Sequence, residues 1–346
     1  MNSFNLIENK KVLITGHTGF KGSWLAFFLN SLNCEIFGIS DIEYNGIYKL
    51  TNVKNLFREE VFLDISNISS EEIFKTVNRF EPEIIFHFAA QSLVKKASLN
   101  PHQTIDINAL GTLKILEVAN NCESVEVITI ATTDKVYSNP SKNNVETDNL
   151  HGSEFYSASK VAAENYITAF CGTMKRDSLN VVTIRSGNVI GGGDRGVDRL
   201  FTDIVNFIFD KQKLTIRNPK HIRPWTYILD SLNGYISATQ YCIDNKINEV
   251  FNLNSITNNN FDVEYILDRF KQLTNIEFLI EDDFSFNLKE VETLKINSNK
   301  AKDLLNWKPK LHLDEIIELT YNWELNHLQE NSNDYSINEI KKYLEI

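Results

Sequence analysis

An α/β fold built on a doubly wound parallel sheet is what this sequence predicts, and three observations carry the prediction. Short β-rich apolar runs alternate with amphipathic stretches through the first half, the order expected of βαβ units. The first of these runs leads straight into a glycine-rich turn and then into a helix-forming segment. The 346 residues, 42% hydrophobic and 23% charged, supply one large core and lack the composition of a disordered chain.

Residues 11–15 form the first strand, Val-Leu-Ile rich and too short for a helix, and 21–32 the helix after it. Strand 35–39, helix 71–80 and strand 84–87 come next, followed by helix 108–120, strand 126–130, helix 157–170 and strand 181–185. Five or six strands with helical crossovers make a Rossmann-type core. Beyond Gly191 the pattern loosens into helices over 198–209, 231–242, 262–273 and 313–325, the material of a smaller C-terminal substrate-binding lobe. The expected division is 1–187 as core, 188–330 mainly as lobe with some segments returning to the core, and 331–346 as a polar, solvated tail.

Thirty-five Lys and Arg against 46 Asp and Glu leave a net charge of −11. That balance excludes a general basic field for nucleic acid or anionic lipid, so an anionic ligand has to be gripped locally. No uncharged apolar run reaches the ~18 residues of a membrane span, and the N-terminus lacks the apolar centre of a signal peptide. A cytoplasmic protein is expected. Cys34, Cys122, Cys171 and Cys242 show neither a C-x-x-C pair nor neighbouring histidines, which points to reduced thiols and no metal site.

At the first strand-to-helix turn, Gly16, Gly19 and Gly22 permit the tight bend and let backbone approach a pyrophosphate, whose charge sits at the helix N-terminus. Asp41 follows the second strand, nineteen residues past Gly22, placed to accept adenosine ribose hydroxyls and repel an extra phosphate. NAD is thereby favoured over NADP. Asp64, ahead of Ile65, ends the next apolar run within reach of the adenine edge. Tyr156 and Lys160 stand four apart at the start of a helix and share a face. An adjacent ammonium lowers a phenol's pKa, so Tyr156 is the candidate to take a hydroxyl proton while Lys160 holds the nicotinamide ribose. The strand at 127–131 delivers Thr132, Thr133, Asp134 and Lys135 at its C-terminal end, the edge where open α/β sheets place ligands. His17 and His87 stand alone and are expected to be packed or beside the cofactor.

The glycine turn and the Tyr156/Lys160 pair make the chain resemble the extended short-chain dehydrogenase/reductase superfamily, in particular its nucleotide-sugar enzymes. Asn108 ahead of Gly111-Thr112, and Phe88-Ala89-Ala90-Gln91, also match, and the resemblance runs from Lys11 to about Trp323. Thr133-Asp134 followed by Lys135 resembles the dehydratases, because eliminating water needs a positioned acid for the leaving hydroxyl and a base for the adjacent C–H. Epimerases and plain reductases of this superfamily tend to carry small residues there. Gly16 to Leu25, Ala89 to Val94, Arg185 to Asp194, Asp198 to Leu200 and Ile222 to Trp225 are similar to the CDP-glucose 4,6-dehydratase branch. Ser92, Lys95, Arg195 and Tyr227 depart from that branch's Pro, Arg, Trp and His, and 151–155 lacks its Gly-x-Asp-Pro. These changes are expected to gather where sugar and base sit.

The resemblance implies an NAD-dependent nucleotide-sugar 4,6-dehydratase that yields a 4-keto-6-deoxy sugar nucleotide for surface polysaccharides. It implies catalysis by Thr133, Asp134, Lys135, Tyr156 and Lys160. Cofactor contacts are implied for Gly16, Thr18, Gly19, Phe20, Lys21, Gly22, Asp41, Asp64, Ile65, Ala89, Ala90 and Gln91, besides Tyr156 and Lys160. Substrate contacts fall to Asn188, Arg199, Arg217 and Arg223, with Arg223 matching a phosphate-contacting arginine. A homodimer or homotetramer through helices 108–120 and 157–170 is implied by analogy. An epimerase or 4-dehydrogenase of the same superfamily is the rival reading; it would keep Tyr156 and Lys160 and have no use for Asp134.

Overall fold

A computed structural model describes residues 4–210, 214, 216, 219–254, 261–278 and 293–345. The strands are β1 (Lys11–Thr15), β2 (Glu35–Ser40), β3 (Phe57–Phe62), β4 (Ile84–His87), β5 (Val127–Ala131), β6 (Asn180–Ser186), β7 (Val189–Ile190), β8 (Thr226–Tyr227) and β9 (Glu249–Leu253). Seven of them pair in parallel in the order β3-β2-β1-β4-β5-β6-β9, and β7 pairs with β8 on its own. The helices are α1 (Phe20–Ser31), α2 (Ile47–Leu50), α3 (Ser70–Asn78), α4 (Val94–Leu99), α5 (Pro101–Ile105), α6 (Gly111–Asn121) and α7 (Phe155–Thr173). After these come α8 (Leu200–Asp210), α9 (Ile228–Asn245), α10 (Val263–Thr274), α11 (Asn299–Leu305), α12 (Leu313–Leu328) and α13 (Ser332–Glu345).

The sheet is Rossmann-type and doubly wound, as the alternation of apolar runs predicts. Val12 and Ile14 point into an apolar cluster with α1 and α9, while Leu13 points into another with α3, α6 and α7. Cover on both faces is why these strands are apolar at successive positions rather than at alternate ones. Each such Val, Ile or Leu contributes about 1.5–3 kcal/mol through burial. The edge strand β3 carries Arg58, Glu59 and Glu60 and therefore lacks the continuous apolar signal of its neighbours.

Two sequence expectations need correction. The helix read from 108 starts earlier, with Pro101 in the first turn of α5, and reaches α6 through a single π turn at Asp106–Leu110. In that turn Asn108 accepts from Gln91 N (2.8 Å) and donates to Gln91 O (2.9 Å) and to Ser159 Oγ (2.9 Å). After Gly191, α9 lies on the sheet and β9 extends it, the two segments of that region that belong with the core. The tail is no solvated appendage. It forms α13, with Ile340 and Tyr343 buried in the cluster that holds α1. The cause is α1, whose consecutive Trp24, Leu25, Ala26, Phe27, Phe28 and Leu29 are all buried, so it needs cover on its outer side as well. Lobe residues Phe201, Trp225 and Phe270 join that same cluster.

Candidate active site

The strand order reverses between β1 and β4, the place where an open α/β sheet forms a crevice at its carboxyl edge. A cleft of about 910 Å³ opens there. Gly16, leaving β1, adopts φ +74°, and a Cβ on it would lie 2.7 Å from Ala89 N, so glycine is needed for both reasons. At Gly22 a Cβ would lie 2.3 Å from Gly16 O. Helix α1 starts after Gly19 with no side-chain cap and no acidic residue in its first turn. Its first N–H groups and the positive end of its dipole thus stay available to an anion at the cleft that Gly19, Phe20, Lys21 and Gly22 line.

The other predicted cofactor residues meet there. Thr18 donates to Ile42 O at 2.8 Å, tying the glycine turn to the loop that carries Asp41. Asp41, Asp64, Ile65, Ala89, Ala90 and Gln91 all line the cleft. Two of them already have internal work. Asp64 accepts from Ser66 N (2.9 Å), Ser66 Oγ (2.6 Å) and Asn67 Nδ2 (2.8 Å), and the Gln91 amide holds Leu93 N (2.7 Å) and Thr104 Oγ1 (3.0 Å). An uncapped helix start, a backbone cradle that excludes side chains and an acid after β2 together fit a dinucleotide.

Across the cleft, Tyr156 enters on the first turn of α7. Glu154 caps that helix by accepting from Tyr156 N and Ser157 N, each at 2.7 Å. Thr133 follows β5, donates to Asp134 Oδ1 at 3.1 Å and stands beside the Tyr156 phenol. Asp134 opens a short 3-10 turn (Asp134–Val136), and its Oδ2 is buried with no partner among the described residues. Burial raises the Asp134 carboxyl above the ordinary range, against the pull of Lys135, Thr133, Arg223 and Lys21. Burial likewise pushes Tyr156 up to about 12, opposed by Thr133, and lowers Lys160 to about 8, opposed by Glu164. The expectation that Lys160 lowers the phenol is therefore not met here: Lys160 donates to Ala131 O at 3.0 Å, and desolvation of Tyr156 prevails. Lys21 reaches the same space, donating to Ser186 Oγ at 2.9 Å. Burial takes it down to about 7, helped by Lys160 and Arg199 and resisted by Asp134.

Of the residues expected to contact substrate, Asn188, Arg199 and Arg223 line the same cleft, while Arg217 lies outside the described residues. Arg199 Nη1 holds both Asp194 oxygens (2.9 and 2.7 Å), and its Nη2 donates to Ser92 Oγ at 3.3 Å. Arg223 donates to Ile222 O (3.0 Å) and meets His221 Nδ1 (2.9 Å). Of the unusual residues, Ser92, Lys95 and Arg195 line the cleft, with Lys95 3.7 Å from Asp198 and Arg195 bonded to Glu324 Oε1 at 2.8 Å. Tyr227 does not; it is buried and its hydroxyl meets Glu339 of α13, so that departure belongs to the C-terminal helix and not to the sugar. His87, between Thr15 Oγ1 (2.7 Å) and Thr112 Oγ1 (3.2 Å), is driven by burial to about 3 and is neutral. His17 packs beneath the glycine turn with Glu60 at 2.9 Å. All four cysteines are free thiols. Sequence reading missed Glu164, one turn past Lys160 and signalled by its i, i+4 spacing, and Arg185, which pairs with it.

A family model described as GDP-mannose 4,6 dehydratase matches residues 13–320. CDP-glucose 4,6-dehydratase of Salmonella typhimurium is 31% identical over 331 residues, covering 92% of this chain and 91% of that relative. UDP-glucuronate 4-epimerase of Thermodesulfobacterium geofontis is 25% identical over 325 residues, covering 92% and 97%. The crystal structure of a UDP-glucose-4-epimerase from Stenotrophomonas maltophila, with bound NAD and formylated UDP-arabinopyranose, has a TM-score of 0.80. It covers 92% of this chain and 99% of that one at 17% identity, a likeness of fold.

Proposed function

The chain belongs to the GDP-mannose 4,6-dehydratase family, and from that premise we propose that it is an NAD-dependent nucleotide-sugar 4,6-dehydratase with CDP-glucose as its first candidate substrate. The observation that carries the reading is Asp134. A buried carboxyl held above its ordinary range, with one oxygen unpartnered and a neighbour of Tyr156 on its other side, is suited to give up a proton inside a cleft. A 4-epimerase needs no such acid.

Tyr156 is the acceptor for the sugar O4 proton. The phenol is protonated in the free protein, and Thr133 and Arg199 are the groups beside it that favour its ionised form. NAD, when bound, supplies reversible hydride transfer, from C4 at the start of the cycle and to C6 at its end. Once C4 is a ketone, the C5 proton is acidic. Asp134 protonates the departing C6 hydroxyl while Lys135, its neighbour on the cleft wall, is the candidate base for C5. Arg223 clamps the diphosphate, with Arg199 and Asn188 on the sugar side, and Asp41 selects NAD over NADP. A homodimer or homotetramer is supported by Leu99, Ile105, Leu110 and Tyr166, apolar side chains exposed on α4, α5, the π turn and α7. Light scattering behind a sizing column tests it. The proposed reaction is a cytoplasmic one that supplies deoxysugars for surface polysaccharides. No helix among the described residues is long and apolar enough to cross a membrane.

The deciding experiment incubates the purified protein with CDP-, dTDP-, GDP- and UDP-sugars and follows the alkaline absorbance of a 4-keto product alongside nicotinamide reduction. Formation of the 4-keto-6-deoxy sugar with no net NADH is expected. A C4 epimer alone would establish the epimerase rival, and sustained NADH the simple dehydrogenase.

A further inference from the structure

Behind the cleft, Glu164 and Arg185 form a buried ion pair that does not line it. Glu164 stands on the face of α7 that carries Tyr156 and Lys160, at successive i, i+4 steps. Arg185, on β6, donates from Nε to both carboxylate oxygens at 3.0 Å and from Nη2 to Oε2 at 2.5 Å. What the pair holds is the chain segment that carries the proposed acid. Thr132, directly after β5, donates from Oγ1 to Glu164 Oε1 at 2.8 Å. Five residues on, Tyr137 OH receives a hydrogen bond from Arg185 Nη1 at 2.9 Å, and the guanidinium stands 5.0 Å from the centre of the Tyr137 ring. Tyr137 OH in turn donates to Asn252 Oδ1 on β9 at 2.6 Å.

We propose that the Glu164–Arg185 pair is a positioning device for the proposed dehydration, gripping both ends of the 132–137 segment so that Thr133 and Asp134 are held against Tyr156. The proposal rests on the dehydratase reading. A buried ion pair costs desolvation and is no better for stability than apolar residues of similar size. Here the hydrogen bonds that offset the cost go to the two ends of one six-residue segment and, from Arg185 Nη1, to Glu146 O at 2.9 Å. The carboxylate has a second effect. The titratable groups around Lys160 are Tyr156 and Glu164 on its own helix, Lys21 on α1 and His87 on β4, and of these Glu164 supports the ammonium. Tyr156 and His87 are neutral, and Lys21 repels it.

Two variants test the pair in the full-length protein with NAD present. Thr132→Val removes just the hydroxyl at the near end, and Glu164→Gln/Arg185→Met removes both charges together so that neither is left buried alone. Each is checked for a native circular dichroism spectrum and its fraction of competent sites is counted. Both are expected to keep KM within about twofold while kcat falls roughly ten- to hundredfold, the signature of misplaced groups in a site that still binds. The double variant is also expected to move the alkaline limb of the kcat profile to lower pH, since Lys160 loses the carboxylate facing it, and Thr132→Val to leave that limb in place. Folded variants with the parent's kcat, or a loss accounted for by the fraction of inactive molecules, would overturn the proposal. If the double variant does not fold, Thr132→Val decides alone. The parent assayed alongside keeps the two readings apart: a parent that makes only an epimer, or a 4-keto sugar that retains its C6 hydroxyl, removes the dehydratase reading, and the clamp is then judged by the same kcat ratio and pH limb on that reaction.

Discussion

On the sheet wall of the cleft, Thr133, Asp134, Tyr156 and Lys160 stand on the end of β5 and the first turns of α7, elements buried on nearly every side. On the lobe wall, Arg199 stands just ahead of α8 and Arg223 just ahead of the two-residue β8, and their guanidiniums are held by Asp194, Ser92, Ile222 and His221. The first wall has its proton chemistry set by burial. The second carries positive charge that a diphosphate can recruit by exchanging partners. Rigid elements suit bond-making geometry and adaptable contacts suit recognition, so damage to the two walls should show up in different kinetic constants.

The largest effect is expected on the sheet wall. Asp134→Asn keeps the shape and removes the proton donor, so product formation should fall by about 100-fold or more while KM changes little. Rapid-quench analysis should show C4 oxidation proceeding without loss of water, and a variant that makes the deoxy product at the parent rate would show Asp134 is not the acid. On the lobe wall, Arg223→Ala should raise KM roughly tenfold to hundredfold, the worth of a charge-assisted bond of ~1.5–3 kcal/mol, with kcat nearly unchanged. Arg223→Lys should recover part of this, since an ammonium lacks the planar two-point contact. An Ala variant with collapsed kcat and unchanged KM would erase the contrast between the walls.

Smaller still is the cofactor end. Asp41→Ala should narrow the ratio of NAD to NADP affinity by about tenfold, about 1.4 kcal/mol, measured by fluorescence titration. The smallest effect on activity belongs to the C-terminal helix. Tyr343 donates to Asp230 Oδ1 at 2.7 Å, and Tyr343→Phe should cost about 1–2 kcal/mol of stability while leaving kcat alone. Burial raises Asp230 from 3.8 to about 6. The folded state therefore prefers the neutral carboxyl; that stabilisation is complete below pH ~4 and is lost as pH rises through about 6. Asp230→Asn should flatten the melting temperature over that interval, and an unchanged slope would assign it to other groups.

Local features were legible from the residues alone. Strands 11–15 and 84–87, the glycine turn from Gly16 to Gly22, the four-residue step from Tyr156 to Lys160 and the Thr133-Asp134-Lys135 run each depend on neighbours within a turn or a strand. Spacing and side-chain type are enough to place them. Other features arise from packing between residues distant in sequence. Glu164 and Arg185 meet because α7 packs over paired β5 and β6, and Tyr227 faces Glu339 because α13 covers a helix at the other end of the chain. The edge strand β3 and the start of α5 also escaped local reading, the first through its charges and the second through contacts that Asn108 makes with Gln91 and Ser159. The protonation of the site belongs to the same class. A phenol beside an ammonium looks acidified in the sequence, yet Tyr156 is raised to about 12, because desolvation sums over every atom the fold packs around it and no stretch of sequence contains that sum.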